Sequence, residues 1–387
     1  MKAGLRVERL RDPAELAALG PACDELCRSM SPRSPFATST WLALWWRHYS
    51  ESRLLFRDRF FVHTVRDEHG KLVAVAPLIL TERPGSGPFR SRNLYFFGSD
   101  KSITELRGLI CARDHEAQVV RALLAHLRDI KSEWDWLIWN GVHVDSEAFR
   151  VLSDDESFQW GNETADYVLD LPSTWEEFRS SRSRNIKESL RKCYNSLKRD
   201  GHSFTFRVVT EVSAMPEAIG RFFELHACRA GARNQVWHAN VFAENRARQM
   251  ILDLAAGSNE HLSVRVFQLI IAGKVVASRL GFALGDELYL YFSGYEPEWG
   301  AYSVMTTTVA ETIKWAIQNG FKVVNLSPGT DVSKTRWGAL PVKTRNGVLV
   351  SPTQRSKLTF RMLSELNRHS RPGTLLGRVL GRGRRVG

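Results

Sequence analysis

The chain has 387 residues, a length that gives two to three domains, each large enough to bury a core. Its 43% apolar and 25% charged residues are typical of a globular protein and exclude a disordered or collagen-like chain. No apolar run approaches the roughly 20 residues that a bilayer-spanning helix needs, and the opening MKAGLRVERLRDPAEL lacks the apolar stretch of a signal peptide. We therefore expect a cytoplasmic protein. The five cysteines are scattered and odd in number, which argues against a disulfide framework or a zinc site.

The net charge of +12 is concentrated in two segments. Residues 179–199 hold eight basic residues and one acid, and residues 355–387 hold nine and one, so the rest of the chain carries −3. This distribution excludes a uniformly basic nucleic-acid coat. The second segment mixes Gly and Arg, which predicts a flexible tail at 353–387 with weak attraction to anionic membrane, nucleic acid or a protein partner. A short membrane-surface helix at 374–380 is the alternative for part of this tail.

The first half reads as a helix followed by strands. The stripe of Trp41, Leu44, Trp45 and Tyr49 predicts a helix at 39–50. A hairpin follows, from FFVHTVRD (60–67) and HGKLVAVAPLILTE (69–82), and then a strand in RNLYFFG (92–98). HEAQVVRALLAHLRDI (115–130) predicts a helix, and WDWLIWNGV (134–142) predicts a strand covered on both sides.

A basic helix opens the second half, at SRSRNIKESLRKCYNSLKRDG (181–201). Its apolar residues, from Ile186 to Leu197, fall on one stripe of a 3.6-residue period, upstream serines are candidate caps, and Asp200-Gly201 closes it. The other faces are basic and include Arg184 and Arg191. They form either a solvated surface or one wall of an anion-binding cleft.

Residues 264–337 read as one sheet-and-helix unit. Helices at 216–232 and 242–256 precede three strands at 264–271, 274–284 and 287–295, which are separated by tight turns. A loop at 296–300 leads to a helix at 302–318, and a strand, FKVVNL (321–326), stops at Ser327-Pro328-Gly329. A helix whose amino end faces a gap in a sheet is a site for a phosphate or pyrophosphate. The pattern therefore indicates a transferase with a phosphate-bearing acyl donor.

The two halves share an order of elements that suggests a duplication. GKLVA (70–74) and GKVVA (273–277) both stand at the turn and second strand of a hairpin, with helices before it and strand–helix–strand after it. Five matching residues are weak support, and the matching order is stronger. We place the boundary near 155–170.

A resemblance to a known family rests on several of these segments. They are SPFATSTWLALWWRHY (34–49), FFELHACRAGARNQVW (222–237) and the stretch from SGYEPEWGAYS (293–303) to VSKTRWGA (332–339). Together they resemble the GNAT-superfamily acetyltransferases of the CelD/BcsL type over roughly residues 35–350. The most specific part is the final strand, with Pro328, Gly329, Lys334 and Trp337 behind it.

The resemblance implies an α/β (α+β) fold of two tandem GNAT-like domains, each a mixed, mostly antiparallel sheet flanked by helices. A degenerate domain would span 1–160 and an acyltransferase domain 161–352. It also implies acyl-CoA, acetyl-CoA first, as the donor for N-acyl transfer to an amine. The acceptor would be an amino sugar, a polysaccharide precursor or a small amine. The usual glycine-rich pyrophosphate signature is not intact, because EPEWGAYS (296–303) carries only Gly300.

The resemblance also implies where the donor lies. Its carbonyl would lie beside residues 291–294, where Gly294 permits close approach to the backbone. Lys334 and Arg336 follow the final strand and could neutralise donor phosphates or an acidic acceptor; the alternative is a pair of exposed loop cations. The amides expected to hold the pyrophosphate are those of Gly300, Ala301, Tyr302 and Ser303.

Catalysis needs a base for the amine and an acid for the leaving thiolate. His226 is a candidate base, with a satisfied helix histidine as the alternative, and Glu296 is a second candidate. Tyr295 and Tyr302 are candidate acids. The candidates for acceptor binding are Arg184, Arg191, Arg229 and Trp337, the last of which is also a candidate for packing.

Two other functions remain open from the sequence. A FemAB-like aminoacyl or peptidyl transferase would use aminoacyl-tRNA, and a non-catalytic binding protein would have kept only the fold. The histidines are dispersed and show no ligand pattern, so no metal is expected.

Overall fold

The computed structural model describes residues 4–84, 90–100, 103–232 and 238–369. The end of FFELHACRAGARNQVW, at 233–237, and the tail from 370 onward, including the alternative helix at 374–380, lie outside the described residues. The chain divides into two compact units. Unit one comprises Met1–Thr164 and Lys343–Gly387, and unit two comprises Ala165–Val342.

The described chain contains both strands and helices. The strands are β1 (Arg6–Arg9), β2 (Ser52–Arg53), β3 (Phe56–Phe60), β4 (His63–Arg66), β5 (Leu72–Ala76), β6 (Leu78–Arg83), β7 (Ser91–Phe96), β8 (Ile110–Cys111), β9 (Trp136–His143), β10 (Phe158–Asp170), β11 (Phe204–Val209), β12 (Ser263–Ile271), β13 (Lys274–Leu284), β14 (Glu287–Tyr295), β15 (Val323–Pro328) and β16 (Leu340–Val350). The α-helices are α1 (Pro13–Ala18), α2 (Gly20–Ser29), α3 (Ser39–Tyr49), α4 (Glu116–Asp129), α5 (Glu147–Ser153), α6 (Trp175–Ser181), α7 (Arg184–Arg199), α8 (Met215–Ala230), α9 (Asn245–Ala256), α10 (Val304–Gln318), α11 (Val332–Thr335) and α12 (Gln354–His369). Short 3₁₀ helices lie at Pro35–Ala37, Arg113–His115, Val212–Ala214 and Pro297–Tyr302.

Unit one contains two groups of strands. One has the order β1-β4-β5-β8, and the other has the order β16-β9-β7-β6-β3-β2. The predicted hairpin at 60–82 is split between them. Pro77 separates β5 from β6, because a proline has no N–H to donate to the ladder. The Pro77 carbonyl accepts a hydrogen bond from Phe97 N at 2.7 Å.

Parallel strands β7 and β9 of unit one pair at three positions only, Asn93 to Tyr95 against Trp136 to Ile138. Beyond that point the backbone of Arg107 lies against Gly141 of β9. A Cβ on Gly141 would be 2.4 Å from the Arg107 carbonyl oxygen, and Gly141 has φ of +70°. The chain of unit one therefore packs its own loop beside the diverging part of β9.

Unit two has the strand order β11-β12-β13-β14-β15-β10. Strands β12, β13 and β14 form the predicted antiparallel meander, and β14 pairs with β15 in parallel. Helices α6, α7 and α10 share a core with Leu288, Leu290, Val324 and Leu326 of the sheet, and α8 packs against β13 and β14.

Most predicted elements are confirmed, with ends shifted by one to three residues. The helix expected at 302–318 is α10, and the strand expected at 321–326 is β15. The basic helix is α7, which ends at Asp200 before Gly201 with φ of +74°. Its Ser183 cap makes no side-chain hydrogen bond, unlike the capping that we predicted.

The expected domain 161–352 and unit two differ at their ends. Residues 343–350 of β16 pair with β9 and so belong to unit one. The tail predicted to be flexible from 353 instead forms α12 up to His369. Ser356 Oγ donates to the buried Asp135 carboxylate at 2.8 Å, and Arg355 donates to the Arg90 carbonyl at 2.7 Å. These contacts hold the start of α12 in place.

Over the residues that the structure describes, no helix is both long enough and apolar enough to cross a membrane. The five cysteines are all free thiols, and four of them are buried.

We predict that Gly141→Ala destabilises the protein more than Gly70→Ala does. Both glycines have positive φ (+70° and +78°), but only the Cβ at 141 meets backbone, whereas nothing lies within 4 Å of the Cβ at 70. The difference in the free energy of unfolding, measured in urea, should be about 1–3 kcal/mol. Equal losses of stability in the two variants would show that the loop at Arg107 moves aside at no cost in free energy.

Candidate functional site

Strands β14 and β15 separate soon after they meet. They pair in parallel only at Glu287 to Tyr289 against Val323 to Asn325. Beyond these positions the end of β14 pairs with β13, and the end of β15 pairs with β10. We call residues 290–295 and 326–328, which line the opening, the strand fork. It leaves the backbone of β14 on its β15 side available to other groups.

A β-bulge interrupts β14 inside the fork. Gly281 of β13 pairs with Leu290, but Arg279 pairs with Ser293, so β14 has one residue more than β13 over this interval. A bulge reverses which face the following side chains take. Leu290 therefore contributes to the core beside α10, whereas the Cβ position of Gly294 faces α8.

Gly294 lets helix α8 lie directly on the strand. A Cβ at this position would be 2.2 Å from His226 N and 2.4 Å from the Leu225 carbonyl carbon. The glycine predicted to admit a ligand is thus explained by helix packing. The packing places the side chains of α8 at the fork.

His226 is 4% exposed and lies beneath the fork. Its Nδ1 lies 3.0 Å from the Ser293 carbonyl oxygen, and its Nε2 lies 3.3 Å from the Ala239 carbonyl oxygen. Burial lowers its pKa, which favours the neutral ring. Because both nitrogens face acceptors, no ring lone pair is directed at a substrate amine. This geometry fits a positioning role and does not fit the predicted general base.

Arg229 crosses from α8 to the fork. It donates to Ser293 Oγ at 2.6 Å and to His238 Nε2 at 2.6 Å, and it lies 6.0 Å from the ring centroid of Tyr295. Burial, and then the charge of Arg229, lowers the pKa of His238 to about 4, so the neutral ring accepts this hydrogen bond. Of the two predicted catalytic tyrosines, Tyr295 is the one next to this cluster.

The β15 side of the fork is built from polar residues. Ser327 has φ of +69°, a strained value for a residue other than glycine. Its N–H donates to Asn325 Oδ1 at 2.8 Å, and Lys334 Nζ donates to its Oγ at 3.2 Å and to the Pro328 carbonyl. Lys334 therefore contacts the fork, and its binding of donor phosphates or of an acidic acceptor stays a prediction.

Asp166 supports this side from β10. It is 3% exposed and accepts a hydrogen bond from Asn325 Nδ2 at 3.0 Å. Burial raises its pKa to about 6, against the lowering effects of Asn325 and Lys334. The sequence analysis missed both Asp166 and Asn325. A signal was present in Asn325, since a polar side chain inside an apolar strand needs a buried partner.

The start of α10 lies between the fork and α7. Ser303, with φ of +54°, precedes the helix, and its carbonyl accepts from the amides of Thr306 and Thr307. The Val304 and Met305 amides lie in the turn where a helix has no carbonyl of its own to bond. Of the residues predicted to hold the pyrophosphate, at 300–303, the first three belong to the 3₁₀ helix Pro297–Tyr302. Helix α10 begins at Val304, two residues later than predicted.

Arg336 reaches this helix end. It donates to Thr306 Oγ1, and its Nε has no hydrogen-bond partner among the described residues. Ala301 and Ser303 are exposed, and Gly300 is half-buried. A guanidinium and a helix amino end both attract negative charge, so their proximity favours binding of an anion at this site.

Several predicted residues lie away from the fork. Glu296 pairs with Arg221 in a separate cleft of about 620 Å³, which does not fit the proton-accepting role. Tyr302 packs with His202 and Trp299, at ring distances of 5.3 and 5.5 Å. Trp337 is 1% exposed in the core of unit two, so packing replaces its predicted contact with substrate.

Arg184 and Arg191 are exposed on α7. Arg184 pairs with Glu188 at 2.8 Å, and its side chain is 89% exposed. The structure does not support a role for either arginine in a cleft wall of unit two. Their exposure is consistent with a solvated basic face. In the described ranges, no group of His, Cys, Asp and Glu side chains could hold a metal ion.

Comparisons with known proteins bear on the fold of the chain. Residues 182–335 match the family model described as "Acetyltransferase (GNAT) domain". The crystal structure of FemX aligns with a TM-score of 0.57 at 11% identity, covering 92% of this chain and 99% of that one. A domain from Agrobacterium fabrum, assigned as the C-terminal part of a lysylphosphatidylglycerol synthetase, aligns with a TM-score of 0.50 at 12% identity, covering 92% and 97%. No curated protein matches the sequence.

The fold class is therefore GNAT-like, with mixed sheets flanked by helices, as the sequence predicted. The matched segment contains the fork, α10 and α11. Residues 182–335 are thus similar to a GNAT acetyltransferase domain. At this level of identity the two structures show the fold alone.

We predict that Gly294→Ala strongly destabilises unit two, because its Cβ would overlap the backbone of α8. The free energy of unfolding, measured in urea, should fall by about 1–3 kcal/mol or more. Gly220→Ala is the matched control: it lies inside α8 with nothing within 4 Å of its Cβ. That variant should gain about 0.5–1 kcal/mol. A neutral Gly294→Ala would contradict the packing.

We also predict a pH-dependent stability difference between the protein and Asp166→Asn. The folded protein holds the Asp166 proton more tightly than the unfolded chain, with pKa values of about 6 and 3.8. The stability of the protein should therefore fall, relative to the variant, as pH rises from about 4 to about 6, by at most about 3 kcal/mol. Urea unfolding at several pH values measures this difference. A difference that stays flat over this pH range would refute the prediction.

Proposed function

We propose that the protein is an acyl-CoA-dependent N-acyltransferase whose reaction takes place at the strand fork of unit two. The observation that carries the proposal is the early separation of β14 and β15, with a bulge in β14 and the free end of α10 beside it. Such an opening exposes backbone amides to a bound carbonyl without distorting the rest of the sheet. Backbone donors fixed in this way stabilise the charge that develops on a thioester oxygen.

The donor phosphates would bind at the start of α10. The amides of Val304 and Met305 and the guanidinium of Arg336 supply positive charge there without needing to move. The Nε of Arg336 is buried and has no hydrogen-bond partner among the described residues, so the guanidinium is not fully satisfied within the protein. Acetyl-CoA is the donor that we favour.

In the transfer, the amine nitrogen attacks the thioester carbon and the C–S bond breaks. The amine gives up a proton to solvent, the leaving thiolate takes one from a protonated side chain, and that side chain is reprotonated from solvent. We propose Tyr295, beside Arg229 at the fork, as the proton donor to the thiolate. His226 holds the Ser293 carbonyl in place and so fixes the bulge.

Within this class we propose the CelD/BcsL type, on the motif around Ser327, Lys334 and Trp337. The acceptor would be an amine of an amino sugar, of a polysaccharide precursor or of a small molecule. The activity would be cytoplasmic, where acyl-CoA is made and where free thiols such as the exposed Cys228 persist.

A second candidate is an aminoacyl or peptidyl transferase that takes its acyl group from tRNA. The exposed basic face of α7 favours it, since backbone phosphates bind such surfaces. The exposed basic residues of this face are Arg184, Arg191, Lys192, Lys198 and Arg199.

Isothermal titration with acetyl-CoA tests the proposal. We expect saturable binding that Arg336→Ala weakens about 10- to 100-fold, because one charge-assisted contact to phosphate is lost. Arg184→Ala, at an exposed arginine on α7, should bind as tightly as the unchanged protein.

Failure to bind acetyl-CoA or longer acyl-CoAs would overturn the proposal. Binding of tRNA instead, falling steeply with salt and weakened by Arg191→Ala, would establish the second candidate. Absence of both would leave a binding protein that has kept the fold.

A further inference from the structure

Arg229 is a half-buried cation without a carboxylate partner. In the described part of unit two, no acid lies within 4.0 Å of its guanidinium. Its donors go to neutral groups, the Ser293 hydroxyl and the neutral ring of His238. Removing a charge from water is costly unless an opposite charge compensates for it. A guanidinium held in this way is well suited to bind an anion.

The charges around Arg229 are predominantly positive. Lys334 lies at the same fork, and both cations interact electrostatically with His238. The nearby acid is Asp331, which is 56% exposed and lies 3.8 Å from Lys334. Asp331 therefore remains largely hydrated and compensates for only part of the two positive charges.

We propose that Arg229 and Lys334 bind an anionic group of the acceptor, a carboxylate or a phosphate, while the amine of the same molecule enters the fork. This inference rests on the proposed function. The donor phosphates already have a separate site, at Arg336 and the start of α10. The acceptor class is thus an amine that carries a negative charge close to its amino group.

The neighbouring groups suit such a ligand. The planar guanidinium of Arg229 can offer two parallel N–H donors to a carboxylate or phosphate, and a point charge such as Lys334 adds attraction without fixed geometry. Ser293 Oγ and His238 hold the guanidinium from two sides, so little side-chain freedom is lost on binding.

His238 provides a direct readout that does not depend on turnover. Its ring faces Arg229, and its titratable neighbours are Arg229, His226, Asp331 and Lys334. An anion on Arg229 would favour the protonated ring and would raise the pKa of His238. NMR of ring-labelled histidine can follow this change while acetate is added at constant ionic strength.

The test uses the full chain, with and without saturating coenzyme A. We expect acetate to raise the pKa of His238 in both states. Arg229→Gln should weaken the acetate response at least about tenfold, by loss of a charge-assisted hydrogen bond. Arg229→Lys keeps the charge and should weaken it less, which guards against a folding defect in the first variant. Arg184→Gln is the control and should respond as the unchanged protein does.

The outcomes separate the two proposals. An acetate response that coenzyme A abolishes would assign Arg229 to the donor phosphates and overturn the inference. No response in the unchanged protein, or an equal response in Arg229→Gln, would also overturn it. If coenzyme A fails to bind, the proposed function and the assignment to an acceptor both fall, and the acetate series alone decides whether Arg229 is an anion site.

Discussion

The separation of β14 from β15 is the constraint on which the site depends. A parallel pair normally continues to the end of the shorter strand, but here it ends after three positions. The bulge in β14 turns Gly294 toward α8, and α8 can then approach to backbone contact. His226 and Arg229, carried by this helix, bind the carbonyl and the hydroxyl of Ser293. Helix packing and side-chain hydrogen bonds thus replace the ladder bonds that β15 would have supplied.

Unit one contains the same early separation of two parallel strands, but there the opening is filled. Its parallel strands β7 and β9 also pair at three positions. Where they part, the carbonyl of Arg107 occupies the space that a side chain at Gly141 would need. The loop that follows β7 thus fills the position where unit two leaves an opening. This contrast is consistent with a duplication in which one copy kept only the framework, and it explains why the candidate site is in unit two.

The sequence predicted the elements of unit two well, because their signals are local. Alternating residues in β12 to β14 and the stripe of α7 each lie within one segment. The site depended on long-range register, which no local pattern contains. Gly294 looked like a ligand contact because its neighbour, the backbone of His226, is 68 residues away in the chain. Asp166 went unnoticed because its partner, Asn325, becomes adjacent only when β10 pairs with β15.

Among the described residues, two of the three non-glycine residues with positive φ lie beside cations. Ser303 and Ser327 both have positive φ, each at a cost of about 1–3 kcal/mol. Ser303 begins the helix end that Arg336 faces, and Ser327 accepts a hydrogen bond from Lys334. A fold selected for stability alone would have no need of strained backbone beside a cation. Strained backbone and cations on both sides of one opening are what a site for two anionic substrates requires. Each anion, once bound, would add a stabilising interaction that is missing in the free protein.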